Sequence, residues 1–346
     1  MLAMKNPEEK KHGFLRGLGK ALGILLAGIL LAALVLTILP MTETVEPKTV
    51  EGSADWMKDL DGSLRLNEII LPGSHDSGTQ HVQLGFVTKC QGLSVAEQLE
   101  AGVRYLDIRL AIADAEEPGA RQMRLVHGFT KCRTGPMPWA EPLYLDRVLD
   151  DCAAFLKAHP TETVILAVKK ENRQDDTAEF ETRLTGALKD RGDLCLLTDR
   201  IPTLEEARGR LVLARRYEDA AGLGAEAGIP MGWPEQDDHG DGTAHTELNE
   251  RNGYRLWVQD RFVYSTEEKW TAFLAGLNEP EIRPDDVSIH FLSTKGTWTY
   301  GHPYGHARAL NQQLRQLPAE NLRGWIILDF ADADLCRHVW SANFDE

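Results

Sequence analysis

Thr163-Val164-Ile165-Leu166-Ala167-Val168 is an unbroken apolar run, set between two segments, 145–158 and 177–189, whose apolar residues recur at helical spacing. A strand with no in-and-out alternation has both faces covered, which a parallel sheet flanked by helices provides. The pattern repeats along the chain. Strand-like runs at 211–214 and 325–328 alternate with helix-like segments at 95–101, preceded by a Ser94 cap, and at 306–317. This alternation predicts an α/β domain with a largely parallel sheet. On a surface strand, Leu106-Asp107-Ile108-Arg109-Leu110 would mean only a solvated face. Between covered faces, Asp107 and Arg109 instead point together into an interior and require partners there.

Two histidines flank that arginine in sequence. His75 lies in Pro72-Gly73-Ser74-His75-Asp76-Ser77-Gly78-Thr79, and His127 precedes Gly128. Imidazole titrates close to physiological pH, so a pair of histidines supplies one base and one acid. A guanidinium fork matches phosphate better than an ammonium does and supplies a permanent cation. Together they suit phosphoryl transfer between two oxygens without a metal. A carboxylate on the far nitrogen of each histidine would fix its tautomer, and Asp76, Asp107 and the distant Asp329 are candidates. The plain alternative is that His-Asp-Ser closes a turn, as Asp and Ser commonly do. His302 and His306 have i, i+4 spacing without a His-Glu zinc signature, so a surface or rim role is expected of them.

With these segments the sequence closely resembles the bacterial phosphatidylinositol-specific phospholipase C (X-domain) family. The likeness continues through Pro142-Leu143-Tyr144-Leu145, Pro160-Thr161-Glu162-Thr163-Val164-Ile165 and Lys169-Lys170-Glu171. It then runs through 209–217, Val258-Gln259-Asp260-Arg261-Phe262 and Gly324-Trp325-Ile326-Ile327-Leu328-Asp329-Phe330. It spans about Trp56 to the C-terminus, in one order. The resemblance implies an irregular (β/α)8 TIM-type barrel with its active site at the C-terminal strand ends. It implies cleavage of phosphatidylinositol, or of glycosylated anchors, to diacylglycerol and inositol 1,2-cyclic phosphate, formally a lyase reaction. In that reading His75 is the general base oriented by Asp329. His127 is the general acid supported by Asp76, and Arg109, held by Asp107, binds the phosphate. Lys169, Arg216 and Asp260 match family residues that bond the inositol hydroxyls. Phe262 stands where the family has a tyrosine that stacks on the sugar, so the aromatic face stays and one polar contact goes. Calcium-dependent relatives have an acidic residue in place of Arg109, and a guanidinium there opposes a cation, so no metal and no cofactor are expected. Two other readings stay open: a metal-dependent glycerophosphodiester phosphodiesterase, which would need acidic metal ligands, and a non-catalytic inositol-lipid-binding protein.

Residues 21–39 carry no charge and approach the roughly 20 apolar residues that cross a bilayer as a helix. Lys5, Lys10, Lys11, Arg16 and Lys20 precede them, and Glu43, Glu46 and Glu51 follow, a bias that keeps the N-terminus cytoplasmic. The expected plan is a basic cytoplasmic segment 1–20, a signal anchor 21–39, a polar linker 40–54 and a catalytic barrel 55–346 outside the membrane. A cleaved signal peptide and a secreted barrel are the alternative. The net charge of −15 argues against nucleic acid and against strong adhesion to anionic lipid. Contact with a bilayer would therefore use apolar groups at the barrel mouth, with Trp298, Tyr300 and Tyr304 as candidates. Trp56, Trp270 and Trp340 read as core. Of five cysteines, Cys90 and Cys132 are the candidate disulfide, with buried free thiols the alternative.

Overall fold

The structure, a computed structural model, describes residues 7–38, 45, 47–48, 50–113, 122–236, 249–251, 253–297 and 302–344. Helix α1 (Pro7–Ile38) precedes the folded unit. Strands β1 (Leu71–Ser74), β2 (Tyr105–Ile112), β3 (Met123–His127), β4 (Thr130–Lys131) and β5 (Val164–Lys170) come first. They are followed by β6 (Cys195–Leu196), β7 (Leu211–Arg216), β8 (Ile229–Pro230) and β9 (Asn249–Arg251). The last three are β10 (Tyr254–Gln259), β11 (Val287–Phe291) and β12 (Trp325–Leu328). The intervening helices are α2 (Gly85–Thr88), α3 (Val95–Glu100), α4 (Leu145–Ala158), α5 (Thr177–Lys189), α6 (Leu204–Ala207), α7 (Thr266–Leu277) and α8 (Pro303–Leu314). Helix α9 (Ala333–Trp340) closes the chain.

Seven strands pair in parallel in the order β7-β5-β2-β1-β12-β11-β10, and the two-residue strands β6 and β8 both add to β7, also in parallel. Among the described residues no ladder joins β8 to β10. Side chains span that interval instead: the Tyr254 hydroxyl donates to Pro230 O (2.6 Å), and Gln236 bonds both Val258 O (3.1 Å) and Asp260 N (2.8 Å). The result is the expected irregular TIM-type barrel, closed by a ladder on all sides but one. A short hairpin, β3–β4, projects from β2 antiparallel to it.

Strand alternation sorts the residues into two apolar layers. Leu106, Ile108 and Leu110, with Val164, Leu166 and Val168, face the helices, where they pack on Val148, Leu149, Phe155 and Leu184. The opposite parity (Leu71, Tyr105, Ile165, Ala167, Val212, Ala214, Ile289, Trp325 and Ile327) fills the barrel. Gly73 belongs to this inner set because a Cβ there would meet Ile327 Cδ1 at 2.5 Å and Tyr105 Cβ at 2.9 Å. Trp56 is buried and stacks on the half-buried Trp340 at 6.1 Å, while Trp270 stacks on Phe273.

Helix α1 begins inside the basic segment, and an apolar stretch from His12 to Val35 is long enough to cross a membrane. Lysine and arginine are good helix formers, so charge alone does not end the helix. The second half of the expected linker joins the folded unit. Val50 is buried against Leu93, Ala101 and Ala333, and Lys48 Nζ pairs with Asp334 at 2.8 Å. The proposed Cys90–Cys132 bridge is not formed, and all five cysteines are thiols. The Cys90 sulfur faces Thr88 O (3.6 Å) and His127 Nδ1 (3.8 Å), whereas Cys132 packs in the outer core with Val82 and Leu125.

Candidate active site

Inward parity delivers the polar residues. Continuing the inner series one step past its apolar members gives His75 after Gly73, Asp107 and Arg109 after Tyr105, and Lys169 after Ala167. The same step gives Arg216 after Ala214, Asp260 after Val258 and Asp329 after Ile327. His75, Lys169, Arg216, Asp260 and Asp329 lie at or just beyond the C-terminal ends of their strands, whereas Asp107 and Arg109 lie within β2. The register sets Arg109 beside Lys169 and Lys169 beside Arg216, a row of three cations across β2, β5 and β7. All of these except Arg216 and Asp107 line a cavity of about 430 Å³, together with His127, Phe262, Glu171 and Glu235.

The His75 turn is fixed by hydrogen bonds and one close approach. His75 N donates to Leu328 O (2.9 Å) and Ser77 N to Asp107 O (2.9 Å), while Gln91 Nε2 donates to His75 O (2.8 Å). Gly78 leaves room for Leu125, whose Cδ2 would lie 2.2 Å from a Cβ there. Asp76 sits at φ 44°, a left-handed conformation that Asp tolerates better than most residues. This turns its carboxylate toward Arg109 Nε (3.1 Å) and His127 Nδ1 (3.1 Å).

His75 Nδ1 meets Asp329 Oδ1 at 2.7 Å, and Arg109 Nη2 meets His75 Nε2 at 2.8 Å. A guanidinium only donates, so Nε2 is the acceptor and the ring proton sits on Nδ1, bonded to Asp329. Burial, then the charges of Arg109 and His127, holds this imidazole well below its usual pKa, so it is neutral at physiological pH. Burial and the Asp76 charge push Asp329 well above the carboxylate range.

The His127 ring lies 6.3 Å from the His75 ring, nearly perpendicular to it. Its Nδ1 contacts Thr88 O (2.9 Å) and Asp76 Oδ2 (3.1 Å), and Nε2 carries neither contact. Burial and the Arg109 charge take its pKa down to about 4, while burial raises Asp76 well above its usual value. Both shifts favour the neutral forms. An anion beside the ring would oppose the His127 shift.

Arg109 also reaches Asp107 (3.4 Å) and Glu171 (3.6 Å). Asp107 is fully buried. Burial would raise its pKa, but Arg109 and Arg216 outweigh that and keep it ionised. Its second oxygen holds Arg216 Nη1 at 3.0 Å, so one carboxylate anchors two cations. Arg216 stacks at 3.6 Å on the Trp233 ring, whose Nε1 donates to Asp260 Oδ2 (3.0 Å). Lys169 Nζ meets Glu235 (2.9 Å) and Glu171 (3.3 Å). Phe262 presents its ring to the cavity wall, with Lys295 Nζ 5.4 Å from its centroid.

Among the described residues, two donor sets lie close enough to hold a metal: His75, Cys90 and Asp329, and Asp76, Cys90 and His127. Both abut the Arg109 guanidinium, which already bonds His75 and Asp76, so a cation in either place would face a fixed positive charge. His302 caps α8 with its ring stacked on Phe86 and Nδ1 on Phe86 O (2.7 Å), and His306 bonds Thr266 (2.8 Å). Tyr304 packs on Phe330, and Trp298 and Tyr300 lie outside the described residues.

Sequence reasoning assigned no role to Glu171, Trp233, Glu235 or Lys269. Glu171 was readable, since it stands two residues after Lys169 and shares its inward face. Trp233 and Glu235 lie in a segment without strand or helix periodicity. Lys269 looks like an exposed helical lysine, yet it is fully buried, bonded to Gln259 (2.9 Å) and Arg261 O (2.9 Å), with its pKa lowered to about 7 by burial.

Residues 67–217 match the family model described as phosphatidylinositol-specific phospholipase C, X domain. The chain is 28% identical over 297 residues to a 1-phosphatidylinositol phosphodiesterase of Staphylococcus aureus (strain Newman), covering 80% of this chain and 88% of that one. It is 25% identical over 315 residues to a protein of the same description from Listeria monocytogenes, covering 83% and 84%. Among solved structures, a phosphatidylinositol-specific phospholipase C of S. aureus superposes with TM-score 0.68 at 24% identity, covering 85% of this chain and 98% of that one. The L. monocytogenes enzyme superposes with TM-score 0.62 at 21% identity, covering 85% and 99%.

Proposed function

We propose that this chain, which belongs to the bacterial phosphatidylinositol-specific phospholipase C (X-domain) family, cleaves phosphatidylinositol by an intramolecular, metal-independent phosphoryl transfer. The observation that carries the reading is the grouping of His75, His127 and Arg109. Two imidazoles 6.3 Å apart share one cavity with a guanidinium that bonds His75 and Asp76.

The neutral His75 Nε2 takes the proton of the inositol 2-hydroxyl as that oxygen bonds to phosphorus. Asp329 holds the ring and stabilises the imidazolium that forms. Arg109 swings its Nη2 from His75 to the non-bridging phosphate oxygens, where its charge meets the charge developing in the transition state. His127, protonated under the field of the phosphate, gives its proton to the glycerol oxygen as the phosphorus–oxygen bond breaks. Diacylglycerol leaves and inositol 1,2-cyclic phosphate remains. Lys169, Arg216 and Asp260 bond the inositol hydroxyls, and the Phe262 ring covers the sugar's apolar face. Helix α1 anchors the barrel at the outer face of a cell membrane through residues 21–39, with 40–54 as the connection to the catalytic unit 55–346.

The test is incubation of the full chain with phosphatidylinositol vesicles in excess chelator, followed by phosphorus NMR. The cyclic phosphate is expected. Loss of all turnover with chelator, restored by a divalent cation, would replace this reading with the metal-dependent phosphodiesterase. Lipid binding without product would leave the binding protein.

A further inference from the structure

We infer that the groove beside the β3–β4 hairpin is an acyl-chain site for the diacylglycerol part of the lipid substrate. The groove, of about 330 Å³, is lined by Val82, Leu84, Phe129, Pro136, Met137 and Pro138, and also by the polar Arg133 and His81. Outside α1, the exposed large hydrophobic residues among those described are Leu84 (46%), Phe129 (81%), Met137 (48%) and Trp139 (79%). Three of them line this groove and Trp139 adjoins it in sequence. An apolar patch so concentrated on an acidic domain marks a binding surface.

Its occupant follows from continuity with the catalytic cavity. Phe129 lines both spaces. The hairpin that carries Phe129 also carries His127, two residues earlier, the group assigned to the leaving glycerol oxygen. A glycerol placed against His127 therefore projects its acyl chains past Gly128 toward Phe129 and into the groove. The tether brings this side to the lipid. Val45 seats against Gly92, where a Cβ would meet Val45 N at 2.7 Å, on the loop that follows the cavity-wall residues Thr88 and Cys90. Seven peptide steps separate Val45 from the end of α1, a reach of at most about 25 Å.

This inference rests on the phosphatidylinositol reading, and the experiment separates the two. The full chain is held in phosphatidylcholine nanodiscs and supplied with monomeric phosphatidylinositols whose acyl chains range from about four to eight carbons. A buried methylene contributes about fourfold in affinity, so kcat/KM should climb by up to that factor per carbon while the groove fills. Met137→Ser and Trp139→Ser should flatten the climb and leave turnover of the acyl-free glycerophosphoinositol unchanged. Cleavage with no chain-length dependence, or variants that keep the full slope and lose activity only on lipid in bilayers, overturns the acyl site. Absence of cleavage for every substrate overturns the underlying activity instead.

Discussion

Arg109→Lys keeps the positive charge and removes the fork, so it isolates what the planar geometry contributes. The guanidinium holds Asp76 through Nε (3.1 Å), His75 and Asp107 through Nη2 (2.8 and 3.4 Å), and stands 3.6 Å from Glu171 through Nη1. A lysine ammonium on a flexible stem can satisfy one or two of these and cannot present two parallel donors to a phosphate. Losing one preorganised donor to the developing charge costs about 2.7–4 kcal/mol, a drop of about 10²–10³ in kcat. Stability should suffer less, by about 1–3 kcal/mol, because the buried carboxylates keep a cation nearby and lose only hydrogen bonds. The assay is initial release of inositol 1,2-cyclic phosphate at saturating substrate, read by phosphorus NMR, alongside thermal unfolding of the same preparation. A variant within about fivefold of the parent kcat, or one whose whole loss falls in KM, would mean that Arg109 positions neighbours and does not stabilise the transition state.

The histidines give a second expectation. His75→Ala and His127→Ala should each lower kcat by about 10²–10⁴-fold, and equal activity in either variant on natural substrate would remove it from proton transfer. In the ligand-free chain the His127 ring should titrate near pH 4 by NMR, because burial and Arg109 disfavour its charged form, and a bound inorganic phosphate should move that value upward. A titration unmoved by phosphate would contradict the acid role. Asp107→Asn should weaken both Arg109 and Arg216, so kcat falls and KM rises together, whereas Asp260→Asn should act mainly on KM. Steady-state kinetics of the two variants decide this, and identical kcat/KM splits would sink the distinction. Gly73→Ala should cost about 1–3 kcal/mol of stability, since the added methyl overlaps Ile327 and Tyr105, and an unchanged thermal midpoint would show that the inner layer yields there.

Much of the architecture was legible in the sequence because it rests on short-range pattern. The uninterrupted apolar runs of β5, β7 and β12, with helical periodicity between them, specify strands covered on both faces, and that requirement selects a largely parallel sheet; its closure into a barrel was implied by the family resemblance. The inward direction of Asp107 and Arg109 followed from the same period-two alternation. The titratable residue types also named the chemistry, since two imidazoles and one guanidinium suit few reactions as well as phosphoryl transfer. Tertiary structure decided which of these groups meet. Asp329 reaches His75 across 254 positions because β1 and β12 are hydrogen-bonded neighbours, and chain order alone carries no such information. It also put Trp233 under Arg216, buried Lys269 behind the site, and turned the Cys90 sulfur toward His127 and away from a bridge. The apolar groove is likewise a product of packing: Leu84, Phe129 and Met137 are far apart or unpatterned in sequence, and only the hairpin's placement against the α2 loop gathers them on one surface. Local propensity fixes the period of each element, whereas the neighbours of a side chain depend on how strands pair, a property of the whole barrel.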